Sequence, residues 1–486
     1  MSHGLTSGPF ATAQLHGPPF GQHRGMSGDH DPWRFATAAA DALAVSIGTP
    51  ALLAQRREQR LQALLEAAPA SPFWRGRLRR HRAADGLQGL AAVGKRALMA
   101  SFDDWVSDRR LTLASLRAFV AEPANAGLPF ADRWIAWESS GSSGEPGLFV
   151  QDAAALAVYD ALEGLRRPPL QPLRRWFDPW CLAERIAFVG ATQGHFASTV
   201  SMRRLARLQP AFAQRLRCFD FLQPLPALAA QLQAFAPTVL ASYPSAALLL
   251  AGEARSGRLR LPLAEVWTGG ETLSAGARRS IEAAFGCPLA DSYGASEFLS
   301  LASSCVRGAL HLNADWAILE PVDRHGCPVP PGTCGDAAWL TNLANHVQPL
   351  IRYELHDRVT LHAEPCACGS PLPVIEVQGR SDDVLTLDDG KGRHVRLLPL
   401  ALTTVLEDHG GVFDFQLVQT GMRSLRLDLG ASHGRSDALR SREALRAWLA
   451  SQGLGSVRVS VGSVAEVAAG RSGKRRRVMA WAASAA

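Results

Sequence analysis

Residues 264–297 read AEVWTGGETLSAGARRSIEAAFGCPLADSYGASE. A short apolar run, 264–267, stops abruptly at TGGET, and a stretch with helical spacing follows. A second apolar run, 288–290, then stops at DSYGASE. Strand, polar turn and helix in alternation predict an α/β domain with a largely parallel sheet. The same unit recurs upstream, where 186–189 runs into GATQGHF and 238–240 into ASYPS. In such sheets ligands sit at the carboxyl ends of the strands, so these polar clusters are where a site is expected, each followed by a helix-like stretch.

Working outward, residues 50–80 predict a helix, with Leu52, Leu53, Leu61, Leu64 and Leu65 at near-helical spacing. Residues 1–35, rich in Gly, Pro and His, predict a flexible N-terminal tail. Near Gly379 the texture changes. A linker, GRSDDVLTLDDGKGRHV, leads to alternating segments at 412–419, 424–429 and 456–461 around a helical 440–451. This predicts a small α+β domain of ordinary size. The expected division is a tail at 1–35, a large domain at 36–380 and a small domain at 381–486.

A chain of 486 residues is long for one compact domain. Its 47% hydrophobic and 20% charged residues suit a globular enzyme. The net charge of +7 is mostly local, because RSGKRRRV at 471–478 carries five positive charges and no acid. With no nucleic-acid module in the chain, that patch is read as meeting the phosphates of a small ligand. The uncharged run 221–252 is broken by Pro224, Pro226, Pro237 and Pro244, so no membrane span is expected. Without a signal-peptide core, and with eight cysteines in no disulfide framework, a cytoplasmic protein is expected. A homodimer would be the commonest closed assembly.

The loop SSGSSGEPG, 139–147, offers converging backbone N–H groups and hydroxyls suited to an anion; alone, such a stretch is more often a flexible loop. With four later segments in order, it resembles the adenylate-forming superfamily, in particular its phenylacetate–CoA ligase-like branch. The resemblance runs from Pro50 to about Val478 and includes QRLQALLEAAPASPFWRGRL near the start. It implies ATP, Mg²⁺, a large domain with mixed or parallel sheets, and a small domain on a hinge.

On that resemblance Ser139, Ser140, Gly141, Ser142, Ser143 and Gly144 would cradle the phosphates, although Glu145 stands where the family has lysine. Gly269, Gly270 and Glu271 of WTGGETL would line the adenine and acyl sites. In Asp291, Ser292, Tyr293, Gly294 and the following ASE, similar to the family's Y-G-x-T-E, Ser296 would contact the α-phosphate and Glu297 would help hold Mg²⁺. QPLIRYELHD resembles P-L-I-R-Y-x-x-G-D. There Asp357 would accept from the ribose hydroxyls, and His356 replaces the glycine. VQGRSDD resembles the G-R-x-D junction, giving Arg380 to the ribose or phosphate and Asp382 to the hinge. GRSGKRRRV resembles S-G-K-x-x-R, which makes Lys474 the catalytic residue, bridging carboxylate and α-phosphate.

Cys305, His311, Cys366 and Cys368 form a candidate Cys₃His zinc site with unusually tight C-x-C spacing; the alternative is thiols that share no ligand. His195, Tyr243 and Trp267 are candidate acyl-pocket residues, and His195 reads equally well as a core histidine.

The expected activity is activation of a carboxylic acid, aryl or arylalkyl by the resemblance, as its acyl-AMP. Transfer to coenzyme A or a carrier-protein phosphopantetheine thiol would follow. Two alternatives are nucleotidyl transfer to a deazaflavin coenzyme hydroxyl, and nucleotide binding without turnover.

Overall fold

The computed structural model describes residues 28–79, 81–82, 85–139, 146–167, 183–190, 192, 194–221, 223, 225–380, 384–392, 394–397, 399–431, 433–464 and 477–480. Helix α1, Pro32–Ser46, begins inside the expected tail. Pro32 sits at its first turn and Asp31 caps it, accepting from the Trp33 and Arg34 amides. Asp29, just before it, is fully buried against Arg204 and Arg207. The helix expected over 50–80 is broken in two, Pro50–Ala67 and Pro72–Arg77. Pro69 and Pro72 each remove an amide donor, and the chain turns between them.

Helix α2, Ala153–Arg166, packs along α1. The two meet the rest of the domain at Asp315, which is fully buried. Arg166 grips its two oxygens at 2.6 and 2.7 Å, and Arg60 donates to its carbonyl at 2.7 Å. Arg60 in turn pairs with Asp41 of α1. Burial pulls the Arg60 guanidinium down to about 10, partly offset by Asp315.

Among the described residues, the central sheet has nine strands. Strands β1 (Ile186–Gly190), β2 (Leu216–Asp220), β3 (Val239–Ser242), β4 (Glu265–Gly269) and β5 (Leu289–Ala295) run parallel in the order β2-β1-β3-β4-β5. Period-2 alternation buries both faces. Val189, Leu240, Val266 and Leu289 face the helices Leu225–Phe235, Pro244–Arg255 and Ala275–Phe285. Ile186, Val239, Ala241 and Trp267 face helix Ala197–Leu208. The helix expected after DSYGASE does not form. The chain reverses there into β6 (Phe298–Ser304) and β7 (Leu310–Leu312), both antiparallel, and β8 (Asp357–Leu361) and β9 (Val374–Arg380) complete the sheet beyond them. A fully buried Phe298 and Leu301 hold the reversed strand in the core.

The C-terminal unit is α+β. Strands Arg458–Val464, Ser424–Gly430, Phe415–Gly421 and Val478–Met479 form one sheet in that order. Helices Pro399–Asp408 and Arg435–Ser451 cover it over a core of Leu402, Leu406, Phe415, Leu427, Leu445 and Leu449. The second helix starts five residues earlier than the spacing predicts. Among the described residues, no helix is long and apolar enough to cross a membrane.

Removing one member of a buried charge cluster leaves the others unpaired. Asp315→Ala should therefore cost about 3–5 kcal/mol, read as a lowered denaturant midpoint in equilibrium unfolding.

Candidate active site

The carboxyl ends of β1, β3, β4 and β5 lie along one edge of the sheet, and the polar clusters of the sequence fall there. Gly269 at the end of β4 pairs with Ser292 on β5. A Cβ on Gly269 would meet the Ser292 Oγ at 2.6 Å, so a larger residue there would displace that hydroxyl from its bond to Thr268. Gly270 follows at φ +79°, a left-handed turn that glycine tolerates. Thr268 donates to Asp291 at 2.6 Å, and the Ser292 hydroxyl donates to the Thr268 carbonyl at 3.0 Å.

From this edge three of the sequence motifs converge. The Tyr293 hydroxyl donates to Asp357 Oδ2 at 2.6 Å. Asp357 lies opposite Arg380 in the β8–β9 register, so the two segments expected at the ribose are strand neighbours. The Glu297 carboxylate is 8% exposed and accepts from the Tyr353 hydroxyl at 2.7 Å. Its backbone carbonyl accepts from Asn342 at 2.9 Å. The Ser296 carbonyl accepts from the Trp137 indole at 2.7 Å. His356 is exposed beside Asp357.

Trp137 belongs to Ile135–Glu138, the strand that feeds the SSGSSGEPG loop. It pairs with Leu148–Gln151, and the pair closes at its base through the Ser139 and Gly147 amides, bonded to the Gly147 carbonyl and the Ser139 hydroxyl at 2.8 Å each. Gln348, in the QPLIRY segment, holds this pair from the side, accepting from the Val150 amide at 2.8 Å and donating to the Leu148 carbonyl at 3.1 Å. The mouth of the expected phosphate loop is thus anchored next to Ser296. Ser140, Gly141, Ser142, Ser143, Gly144, Asp382 and Lys474 lie outside the described residues.

Four expected residues stand apart from this cluster. Glu271 accepts from the amide and hydroxyl of Ser245 at 3.0 Å each, a carboxylate at the start of helix Pro244–Arg255. Tyr243 is buried among the apolar side chains beneath the same helix. Trp267 donates to Glu265 at 2.8 Å, and the Arg167 guanidinium lies 4.1 Å over its ring. His195 has no exposed surface and rests against Phe119, and burial holds its imidazole below the usual range. Conversely, Tyr353, Trp137, Asn342 and Thr268 were not singled out as site residues. Tyr353 is part of the quoted IRY segment, but the identities of its partners needed the fold.

The cysteine–histidine cluster does form. Cys305 and His311 flank the β6–β7 turn, Cys366 and Cys368 lie in the β8–β9 connection, and all four ligand atoms fall within 4.8 Å of one another. The His311 Nδ1 donates to the Leu372 carbonyl at 2.7 Å, which leaves Nε2 facing the Cys368 sulfur at 3.3 Å. The Arg307 amide donates to the Cys305 sulfur at 3.4 Å. Tetrahedral zinc, with bonds of about 2.0–2.3 Å, fits donors at these separations and in this tautomer.

No protein-family model and no curated protein sequence matches the chain. Solved structures do. A 2-hydroxyisobutyryl-CoA ligase in the postadenylation state, in complex with R3-HIB-AMP, superposes at TM-score 0.65 and 19% identity, over 90% of this chain and 91% of that one. The same ligase with 2-HIB-AMP and CoA in the thioesterification state gives 0.54 at 20% identity, over 90% and 91%. An anthranilate CoA ligase in complex with anthranoyl-AMP gives 0.50 at 15%, over 70% of this chain and 64% of that one.

Burial pushes the Asp291 carboxyl up to about 6, against the hydrogen bond from Thr268. The unfolded chain ionises this group more readily, so its ionisation destabilises the fold as pH rises from about 4 to about 6. The stability of Asp291→Asn relative to the parent should therefore rise across that window and level off above it, as read from thermal midpoints at a series of pH values. The chain has the fold of the 2-hydroxyisobutyryl-CoA ligase on which it superposes.

Proposed function

We propose that the protein is an ATP-dependent acid–thiol ligase, which activates a carboxylic acid as acyl-AMP and passes the acyl group to a thiol. The observation that carries this reading is the Tyr293–Asp357 hydrogen bond at 2.6 Å, with Asp357 directly opposite Arg380. Three segments distant in sequence meet at the strand ends of an α/β sheet, in the fold of ligases solved with acyl-AMP.

In this reading Asp357 and Arg380 hold the ribose and the loop 139–144 takes the phosphates. The Ser296 hydroxyl reaches the α-phosphate. Mg²⁺ would be held by Glu297, a hard oxygen donor oriented by Tyr353, and would supply charge neutralisation at the phosphates. Lys474, from the small domain, would stabilise the charge that grows as the acid oxygen attacks the α-phosphorus and pyrophosphate leaves. In the second step the thiol sulfur attacks the acyl carbon and AMP leaves.

Coenzyme A is the proposed acceptor, since the neighbouring ligase is solved with it; a carrier-protein thiol would suit the same chemistry. An aryl or arylalkyl acid is the proposed substrate, and a reducing cytoplasm the proposed location. Zinc is proposed at Cys305, His311, Cys366 and Cys368, where it would staple the hairpins that carry Asp357, Arg380 and Glu297.

ATP–pyrophosphate exchange with Mg²⁺ across aryl, arylalkyl and short branched acids tests the first step. Exchange with one class is expected, and silence across the panel with ATP still bound would remove the ligase reading. With the active acid, Lys474→Ala should lower exchange roughly 10²–10³-fold. Metal analysis of the purified chain should find about one zinc per molecule, and Cys368→Ser should release it and lower the thermal midpoint.

A further inference from the structure

The small domain touches the large one through a buried carboxylate. Glu407 lies on helix Pro399–Asp408, and its side chain has no exposed surface. One oxygen accepts from the Ser274 hydroxyl of the large domain. The other accepts from Arg477 at 2.5 Å, whose guanidinium also lies 5.4 Å from the Phe415 ring. Ser274 is itself the N-cap of helix Ala275–Phe285, accepting from the Ala277 amide at 3.0 Å. It is four residues past Gly270, where β4 delivers the chain to the site. Phe413 of the small domain packs beside this contact against the cluster of Val266 and Ile281.

A carboxylate taken out of water is strongly disfavoured unless its partners stay in place. Both partners of Glu407 are met only while the domains sit as they do here. Arg477 is fixed within the small domain, but Ser274 is not. Arg477 also follows Lys474, the residue proposed for catalysis, by three positions in the sequence. The arrangement superposes better on the ligase in its postadenylation state than on the same ligase in its thioesterification state, 0.65 against 0.54.

We propose that Glu407 is a positioning residue for the adenylation half-reaction. It ties Arg477 to Ser274 across the domain boundary, and the bond to Ser274 breaks when the small domain moves for thiol capture. The catalytic part of this inference rests on the ligase reading above; the cross-domain tie does not.

Two measurements separate these parts. Hydrogen exchange, on the full chain without substrate, compares the parent with Glu407→Ala and Ser274→Gly, the latter because glycine is accepted at an N-cap. In both variants the segments Ala275–Phe285 and Pro399–Asp408 should exchange roughly tenfold faster, with strand Ser424–Gly430 unchanged as proof of folding. Unchanged exchange at both segments in folded variants would overturn the tie, whatever the enzyme's substrate. With the acid found by pyrophosphate exchange, both variants should lose roughly tenfold or more in adenylation. Thioester formation from pre-formed acyl-AMP should be undiminished, and Glu407→Gln, which can still accept from Ser274, should recover part of the loss. An equal fall in both half-reactions would overturn the positioning role. If no acid is activated the ligase reading fails, and the exchange result alone decides the tie.

Discussion

Gly294 has no room for a side chain: a Cβ there would lie 2.0 Å from the Leu299 carbonyl. This close approach lets β5 turn back into β6 with a register shift between Tyr293 and Ala295. The turn aims three neighbouring residues in three directions. Tyr293 reaches β8, Glu297 reaches the strand carrying Tyr353, and the Ser296 carbonyl meets the indole beside the SSGSSGEPG loop. A larger residue would push the hairpin apart and undo all three contacts together, so one backbone constraint underlies the whole arrangement.

The electrostatics of the site are divided between the domains. On the large domain the residues that meet at the strand ends are mainly acceptors: Asp291, Glu297 and Asp357. Carboxylates suit sugar hydroxyls and a hard cation, but they do nothing to stabilise a polyanion. The excess of positive charge in the sequence lies instead at 471–478, in the small domain. On the proposed reading, neither set of charges alone would balance a nucleoside triphosphate and its metal. On the same reading this division of charge along the sequence is a physical reason for docking and chemistry to be coupled.

Much of this was legible in the sequence because the signals are local. Apolar runs ending in small polar clusters gave the parallel strands and the polar edge at their carboxyl ends, and the order of five short motifs gave the superfamily resemblance. The reversal after DSYGASE was not legible, since the helical expectation rested on repetition of a pattern whereas the hairpin depends on the contact of Gly294 with Leu299. Glu271 stood in a polar cluster at a strand end, yet its carboxylate caps the helix that begins at Pro244. Tyr353 and Trp137 were missed for a related reason, as their partners lie 56 and 159 residues away. The start of α1 was missed because a tail rich in Gly and Pro hid an ordinary Asp-Pro helix start at 31–32. Cys305, Cys366 and Cys368 do lie together with His311, a grouping open to sequence reading because residue type alone restricts what four such side chains can share.

The strength of the domain contact matters as much as its geometry. A hydrogen bond to a charged group contributes about 1.5–3 kcal/mol, and partial burial of one aromatic such as Phe413 adds a comparable amount. A contact of that size favours one arrangement by roughly 3–6 kcal/mol, leaving the other below about 1% of the population. A ligand shifts that balance only by preferring the other arrangement by a comparable amount. A fully apolar interface would hold the small domain too firmly for a second step, and an exposed ion pair would scarcely hold it at all. For the proposed ligase, the buried Glu407 carboxylate, with a partner on each side, lies between these limits.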